Sequence, residues 1–372
     1  MTKYKFDEIA INSTQKKKPT EEDKVYYIGL EHIDPGCFDV VRWGSNVAPT
    51  GDKLLMQKGD VLFGKRRAYQ RKVAIAPFDG IFSAHGMVLR PNLKVIDANY
   101  FPFFISSDKF METAVRISVG GLSPTINWKD LARQEFELPS LDEQKVLADK
   151  LWAAYRLKEA YKKLLVATDE MVKSQFIEMY YNTHNKQTLE SVCPIMNKGI
   201  TPKYVESSSV LVINQACIHW DGQRLGNIKY HNEEIPVRKR ILESGDVLLN
   251  ATGNGTLGRC CVFICPSDNN TYINDGHVIA LSTDRAVILP EVLNTYLSLN
   301  DTQAEIYRQY VTGSTNQVDI VFSDIKKMKV PVPSMDEQIL FVEVLTQADK
   351  SKFELKQCIE NIDKVIKSLI NG

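Results

Sequence analysis

The chain has 372 residues, 44% of them hydrophobic, and its 46 Lys plus Arg balance its 46 Asp plus Glu. That length predicts two or three domains with packed cores, and the neutral total excludes a generally polybasic or polyacidic protein while leaving a local charged patch open. The start, Met1-Thr2-Lys3-Tyr4-Lys5-Phe6, is not an apolar signal segment, no run is long enough to span a membrane, and the seven cysteines form no regular framework; a reducing, cytoplasmic location is expected.

Over roughly the first 140 residues, short apolar runs broken by turn signals read as strands: Val25-Tyr26-Tyr27-Ile28, Asp60-Val61-Leu62-Phe63, Lys72-Val73-Ala74-Ile75-Ala76 and Met87-Val88-Leu89. A helix is predicted over residues 100–116, then a glycine-marked turn, Val119-Gly120-Gly121-Leu122-Ser123.

Next comes Leu138-Pro139-Ser140-Leu141-Asp142-Glu143-Gln144, which recurs as Val332-Pro333-Ser334-Met335-Asp336-Glu337-Gln338. In each copy the proline ends an extended segment, the serine can cap, and the carboxylates fall in the first helical turn, where the helix dipole favours them. Apolar residues then recur at alternating spacings of four and three, the seam of a coiled coil. The first seam is Leu147, Leu151, Ala154, Lys158, Tyr161, Leu165, Thr168 and Val172. The second is Phe341, Leu345, Ala348, Lys352, Leu355, Ile359, Ile362, Ile366 and Leu369. Lys158 and Lys352 hold the same seam position, where a polar residue can fix register. Two ordinary core helices are the alternative, but the shared start, phase and lysine favour a pair of rods of roughly 35 to 40 residues, about 50 to 60 Å long.

Between the rods the first segment's order returns. Phe6-Asp7-Glu8-Ile9 answers to Leu189-Glu190-Ser191-Val192, Ile28 to Ile213, and Gly59-Asp60-Val61-Leu62 to Gly245-Asp246-Val247-Leu248. A helix over residues 291–310 leads to Thr312-Gly313-Ser314-Thr315-Asn316. The fold class is α/β (α+β): a first globular domain (1–141), a long helix (142–182), a second globular domain (183–335) and a second long helix (336–372).

The residues after each Gly-Asp-Val-Leu differ between the halves. The first half carries Lys65, Arg66, Arg67, Tyr69, Arg71 and Lys72, cations that neutralise phosphate or grip guanine, with a tyrosine that stacks or meets a thymine methyl. The second carries Asn250, Thr252, Asn254 and Thr256 with Arg259, uncharged donors and acceptors suited to base edges. Ser123, Thr125 and Asn127, and Ser314, Thr315, Asn316 and Gln317, are further polar candidates after the glycine marks, and His85 and His277 sit at equivalent places. A solvated basic loop, a glycine-rich turn and framework histidines are the corresponding structural readings.

Other chemistry finds little support. Gly253-Asn254-Gly255-Thr256-Leu257-Gly258 matches a dinucleotide pattern by letter but precedes a predicted strand, not the required helix. Cys260, Cys261 and Cys265 lack paired zinc spacing, and no metal site is expected. The sequence holds no local catalytic triad, phosphate loop of the Gly-Lys-Ser/Thr kind, or Asn/Asp-Pro-Pro-aromatic signature of amino methylation.

Taken together, the duplicated helix starts, the duplicated Gly-Asp-Val-Leu and the form Gly-Asp-Val-Leu-Phe-Gly-Lys-Arg-Arg-Ala-Tyr give a chain that resembles, over essentially its whole length, the specificity subunit of type I restriction-modification systems. The resemblance implies two target-recognition domains, each reading half of a split double-stranded DNA sequence, separated by an antiparallel pair of spacer helices. It implies no catalysis and no cofactor on this chain. Two methyltransferase subunits using S-adenosylmethionine, and ATP- and magnesium-dependent restriction subunits, are the implied partners. The final helix, stopping near Gly372, is expected to make a shorter last contact than in longer relatives. A non-catalytic scaffold binding two protein partners is the alternative from another class; a self-contained nuclease or methyltransferase lacks its signatures.

Overall fold

The two long helices run over Leu141–Phe176 and Met335–Asn371 in a computed structural model that describes residues 1–181, 183–314 and 317–371. The chain divides inside both helices, into a unit of residues 1–163 with 355–372 and a unit of residues 164–354. Each unit holds a globular part and a portion of each helix.

Both helices begin alike. The Glu143 carboxylate accepts from the Ser140 N–H (2.9 Å) and Oγ (2.8 Å), and Glu337 from Ser334 (2.9 and 2.7 Å). These capping-box bonds give otherwise unpaired groups at the helix start a partner, and they hold both glutamates below the usual carboxylate range. The next residue turns inward. Gln144 and Gln338 are fully buried. Gln144 donates to the carbonyls of Val95 (3.1 Å) and Pro139 (2.9 Å) and accepts from the Asp97 amide (2.8 Å). Gln338 repeats the pattern with Val287 (2.9 Å), Pro333 (3.0 Å) and the Leu289 amide (2.8 Å). Each long helix is thereby tied to the loop ahead of the shorter helices in its own unit.

The strand that feeds each helix pairs antiparallel with the strand that opens the unit: Glu135–Leu138 with Thr2–Lys5, and Lys329–Pro331 with Lys186–Thr188. Each unit then builds a four-stranded antiparallel sheet of one topology. In the first its order is Ala10–Ser13, Met87–Pro91, Val61–Phe63, Val73–Ile75; in the second, Ile195–Lys198, Val278–Ser282, Val247–Asn250, Cys260–Val262. A second four-stranded sheet keeps one parallel pair in both units, Tyr27–Ile28 with Gly80–Phe82 and Val210–Ile213 with Thr271–Asn274, and differs in its other strands.

The duplicated Gly-Asp-Val-Leu is architecture. Gly59 and Gly245 take φ of 91° and 95°, a conformation that costs glycine little. The next aspartate, buried in both copies, closes the turn by accepting from the amide three residues back, Gln57 (2.7 Å) or Glu243 (2.8 Å). Arg90 then pairs with Asp60 (2.7 Å), and Arg240 (3.2 Å) and the Ser282 hydroxyl (2.6 Å) with Asp246.

Each helix expected after the sheets is two. Phe101–Ser106 and Asp108–Arg116 are separated by Ser107, which is extended (ψ 152°) and accepts from the Phe110 amide through its Oγ (3.1 Å). Pro290–Ser298 and Asn300–Gln309 are separated by Leu299 (ψ 142°), with the Gln303 amide donating back to the Leu297 carbonyl (2.6 Å). Local side-chain bonds stop a periodicity that otherwise runs on.

Along the seams, Ile366 and Leu369 pack on the first unit's core with Leu147 and Trp152, and Val172, Phe176, Phe341, Ala348 and Leu345 join the second unit's core. Tyr161, Leu165, Leu355, Ile359 and Ile362 are half-buried. The seam lysines reach the other helix reciprocally: Lys158 pairs with Asp363 (2.6 Å) inside the first unit, and Lys352 with Asp169 (2.9 Å) inside the second. The face most buried at the start of the first helix is Ala148, Leu151 and Tyr155, not Leu147 and Ala154, because this portion also packs on its own globular part. The Tyr155 hydroxyl accepts from the Phe38 amide (2.9 Å) and donates to Asp39 (3.1 Å). No described helix is long and apolar enough to cross a membrane.

Replacing Gln338 with alanine leaves the part-buried Leu289 amide and Val287 carbonyl without that partner. It should lower unfolding free energy by about 2 kcal/mol, read as a fall in denaturation midpoint, while Gln347→Ala on the exposed side of the same helix stays within about 0.5 kcal/mol of the parent. Equal midpoints for the two variants would remove the glutamine tie from the account.

Candidate nucleic-acid interface

In the first unit three segments far apart in sequence meet where strand Val61–Phe63 ends. The Arg66 amide donates to the His85 carbonyl (3.1 Å), the Arg67 amide to the Pro124 carbonyl (2.7 Å) and the Ile126 amide to the Lys65 carbonyl (3.0 Å), and Arg66 bridges Thr125. Side chains follow the backbone. Arg66 Nη1 lies 3.3 Å from His85 Nε2, and Arg67 Nε donates to the Ser123 hydroxyl at 3.2 Å. Tyr69 stands exposed on the 3-10 turn Ala68–Gln70, and Leu122 is almost fully exposed. Lys65, Arg66, Arg67, His85, Ser123 and Thr125 are thus brought together, with Tyr69 on the same loop. Arg71 and Lys72 are drawn away: Arg71 pairs with Asp108 (2.6 Å) and the Ser106 carbonyl (3.0 Å), and Lys72 donates to the Leu30 carbonyl (2.6 Å).

Positive charge is concentrated here. Burial, and then Lys16, push Lys65 below the usual lysine range; burial, and then Arg66, Lys65 and Lys53, do the same to His85. Lys16 and Lys53 were not candidates from sequence, since they lie far from residue 65. Sheet pairing carries them in: Lys16–Lys17 is an exposed strand beside Lys53–Met56, with Lys16 opposite Leu54 and Lys17 opposite Lys53. The run Lys16-Lys17-Lys18 was a visible signal without a visible place. Like charges held close in a neutral protein suit a polyanion that supplies the missing counter-charge.

The backbone carries a second signal. Arg67 (φ 55°) and Arg71 (φ 54°) are the non-glycine residues with positive φ among the described residues, and the second unit has Gly253 (φ 98°) and Gly258 (φ 84°) at the corresponding bends. A non-glycine residue there costs roughly 1–2 kcal/mol, so the first unit carries strain that its sister avoids. Such strain clusters where a side chain has a task.

The second unit repeats the convergence with neutral groups. Ala251 bonds the His277 carbonyl, and Ile320 donates to Ala251 (both 2.8 Å), while Thr252 bridges Asp319. Thr252 Oγ1 lies 2.9 Å from His277 Nδ1, and Thr256 Oγ1 donates to the Thr252 carbonyl (3.0 Å) and lies 3.2 Å from Gln215 Oε1. Asn254 is exposed. Arg259 donates to the Gly255 carbonyl (2.7 Å), bracing the glycine loop. Asn250 is fully buried, its Nδ2 donating to the Gln215 carbonyl (3.1 Å); it supports the loop from beneath. Gln215 had no sequence signal, and Lys198, paired with Asp319 (2.7 Å), joins the same neighbourhood. Thr315 and Asn316 lie outside the described residues.

The glycine pattern leads into strand Cys260–Val262, not a helix. Cys260 and Cys261 are buried, and that burial pushes both thiols up. Among the described residues no group of His, Cys, Asp and Glu is arranged to hold a metal ion.

The sequence matches the type I restriction modification DNA specificity domain twice, over residues 3–165 and 184–364. It is 23% identical to the StySPI type I restriction enzyme specificity subunit of Salmonella potsdam over 94% of this chain and 81% of that protein. A shorter match, 26% identical over 142 residues, covers 38% of this chain and 31% of the EcoDI specificity subunit of Escherichia coli. Among solved structures, a chain from work on complex assembly and conformational transition of the type I R-M system has a TM-score of 0.61 at 16% identity, covering 99% of this chain and 96% of its own. The type I S subunit from M. genitalium has 0.55 at 14%, covering 99% and 94%; at these identities the likeness speaks for the fold. One scaffold used twice with two loop chemistries defines the class, a tandem sequence reader. The chain belongs to the type I restriction-modification DNA specificity family, as a non-catalytic specificity subunit with two recognition domains.

A histidine whose pKa is depressed in the folded state weakens folding as pH falls from the unfolded value, about 6.5, toward the folded one. Nearby phosphate acts oppositely, favouring the charged form. DNA binding should therefore take up a proton at His85, and affinity should rise as pH falls through and below about 6.5, by up to about tenfold per unit of pKa restored. His85→Gln should flatten that rise; an unchanged pH profile in the variant would exclude His85 from the interface.

Proposed function

We propose that residues 1–141 and 183–335 are the two target-recognition domains, that residues 142–182 and 336–372 are the spacer helices, and that each domain reads one half of a bipartite double-stranded DNA sequence. The first half-site is read through Arg66, Arg67 and Tyr69, with Lys65 and Lys16 on phosphates and His85, Ser123 and Thr125 alongside. The second is read through Thr252, Asn254 and Thr256, with Thr315 and Asn316. Arg71, Lys72, Asn250 and Arg259 hold the loops that present these groups. The observation that carries the reading is the convergence of Lys65, Arg66 and Arg67 with His85, Ser123 and Thr125 at the end of one strand, close enough to Lys16 and Lys53 for their charges to act on Lys65 and His85, at the scaffold position where the second unit presents mainly uncharged donors and acceptors.

In the cytoplasm the chain selects the sites at which two methyltransferase subunits methylate adenine, and through them the sites available to restriction subunits. S-adenosylmethionine, ATP and magnesium belong to those partners. Phosphate contacts fix register, and base contacts carry the sequence.

Single-molecule methylome sequencing of a host carrying the methyltransferase subunit, with and without this chain, tests the reading. A split motif of methylated adenines that appears only with the chain is expected, and Arg66→Ala with Arg67→Ala should degrade one half of it and spare the other. A stable complex with no new motif would favour the scaffold alternative; an unchanged motif in the double variant would end the assignment of those arginines.

A further inference from the structure

The Arg71 side chain continues into a polar clamp that the recognition reading does not use. Asp108, which it meets at 2.6 Å, opens helix Asp108–Arg116. The Asp108 amide donates to Asn371 Oδ1 (2.9 Å), Asn371 Nδ2 donates to Asp108 Oδ2 (3.1 Å), and Lys367 Nζ lies 3.2 Å from the same oxygen. Burial alone would push the Asp108 carboxyl up, but Arg71 and Lys367 outweigh it and hold it below its ordinary range. All four residues lie in the first unit.

Three features set this clamp apart from ordinary surface pairing. Arg71 sits at a left-handed bend four residues after Arg67, and the two bends bracket the turn that carries Tyr69. Beside the clamp is a cavity of about 330 Å³ lined by Arg71, Asp108, Lys367 and Asn371 and by apolar side chains that include Phe103 and Ile366, so the polar bonds add to an incomplete apolar contact at this end. The second unit fixes its corresponding loop differently: Gln303 donates to the carbonyl of Gly258 (2.9 Å). There Lys173 and Ile177 stand where Lys367 and Asn371 stand in the last helix, so the asparagine has no counterpart.

We propose that Arg71 is a positioning residue, and that the tip of the last helix, through Lys367, Asn371 and Asp108, sets the conformation of the loop reading the first half-site. The proposal rests on that loop being a recognition loop. It assigns the last turn of the last helix a part in the specificity of the first domain, at the opposite end of the sequence.

The test measures binding of the complex with its methyltransferase subunits to duplexes carrying the methylated motif, or the motif scrambled in one half, across a salt series. Arg71→Gly takes the residue type that the sister loop uses, which relieves the bend, and Asn371→Ala alters an exposed helix end; neither should impair folding, which a melting curve checks. Arg71→Gly should reduce discrimination in the first half-site about tenfold, the scale of one good base contact, and Asn371→Ala about threefold in the same half. Second-half discrimination and the slope of log affinity against log salt should not change. A slope that falls by about 0.9 in Arg71→Gly would make Arg71 a direct phosphate contact, and intact first-half discrimination in Asn371→Ala would cut the relay; either overturns the proposal. Arg66→Ala separates the two levels: if it leaves first-half discrimination intact, the recognition assignment falls and takes the relay with it.

Discussion

Two buried glutamines decide where this molecule changes from globular domain to helix. Gln144 and Gln338 each satisfy three backbone groups, two of them in the loop ahead of the short helices and one in the proline turn just before. A buried amide left without partners is costly, so a long helix can start with such a residue only if its own domain supplies the matching loop. With the capping box one residue earlier, the joint is fixed in position and direction. It is built the same way twice.

A fixed joint frees the rest of the surface. The turn aspartates Asp60 and Asp246, the common sheet order and the parallel pair at Ile28 and Ile213 fix where the next loop emerges, whatever its composition. On that emergence point the first unit places arginines at left-handed bends and the second places glycines. The first unit accepts backbone strain at Arg67 and at Arg71, which is held by Asp108; the second is relaxed and carries hydroxyls and an amide. One scaffold therefore supports two loop chemistries.

Sequence reading recovered what repetition and period encode. The two long helices with their matching starts, and the tandem order of the globular parts, followed from the offset between copies; that Lys158 and Lys352 pair across the helices and that three loop segments meet in each unit did not. What it missed depends on contacts between distant residues. Arg71 and Lys72 read as recognition cations because their partners, Asp108 and the Leu30 carbonyl, are remote in sequence. Asn250 read as a base contact until the sheet buried it over Gln215. Lys16 became part of the charged cluster only through strand pairing with Leu54. The breaks at Ser107 and Leu299 were hidden because apolar periodicity continues through them.

If the joint is the same in both copies and each domain's own loops supply its base contacts, the domains are exchangeable, with the transplanted copy discriminating less sharply because Ile177 stands where Asn371 does. The most direct measurement is the methylated motif of a chimera in which residues 183–335 are replaced by a second copy of residues 1–141, joined at the Ser-Leu-Asp-Glu-Gln and Ser-Met-Asp-Glu-Gln starts. The account predicts a motif made of the first half-site used twice, with the original second half-site gone. A motif that keeps the second half-site would contradict it, because the sequence would then be read outside the domain that was removed.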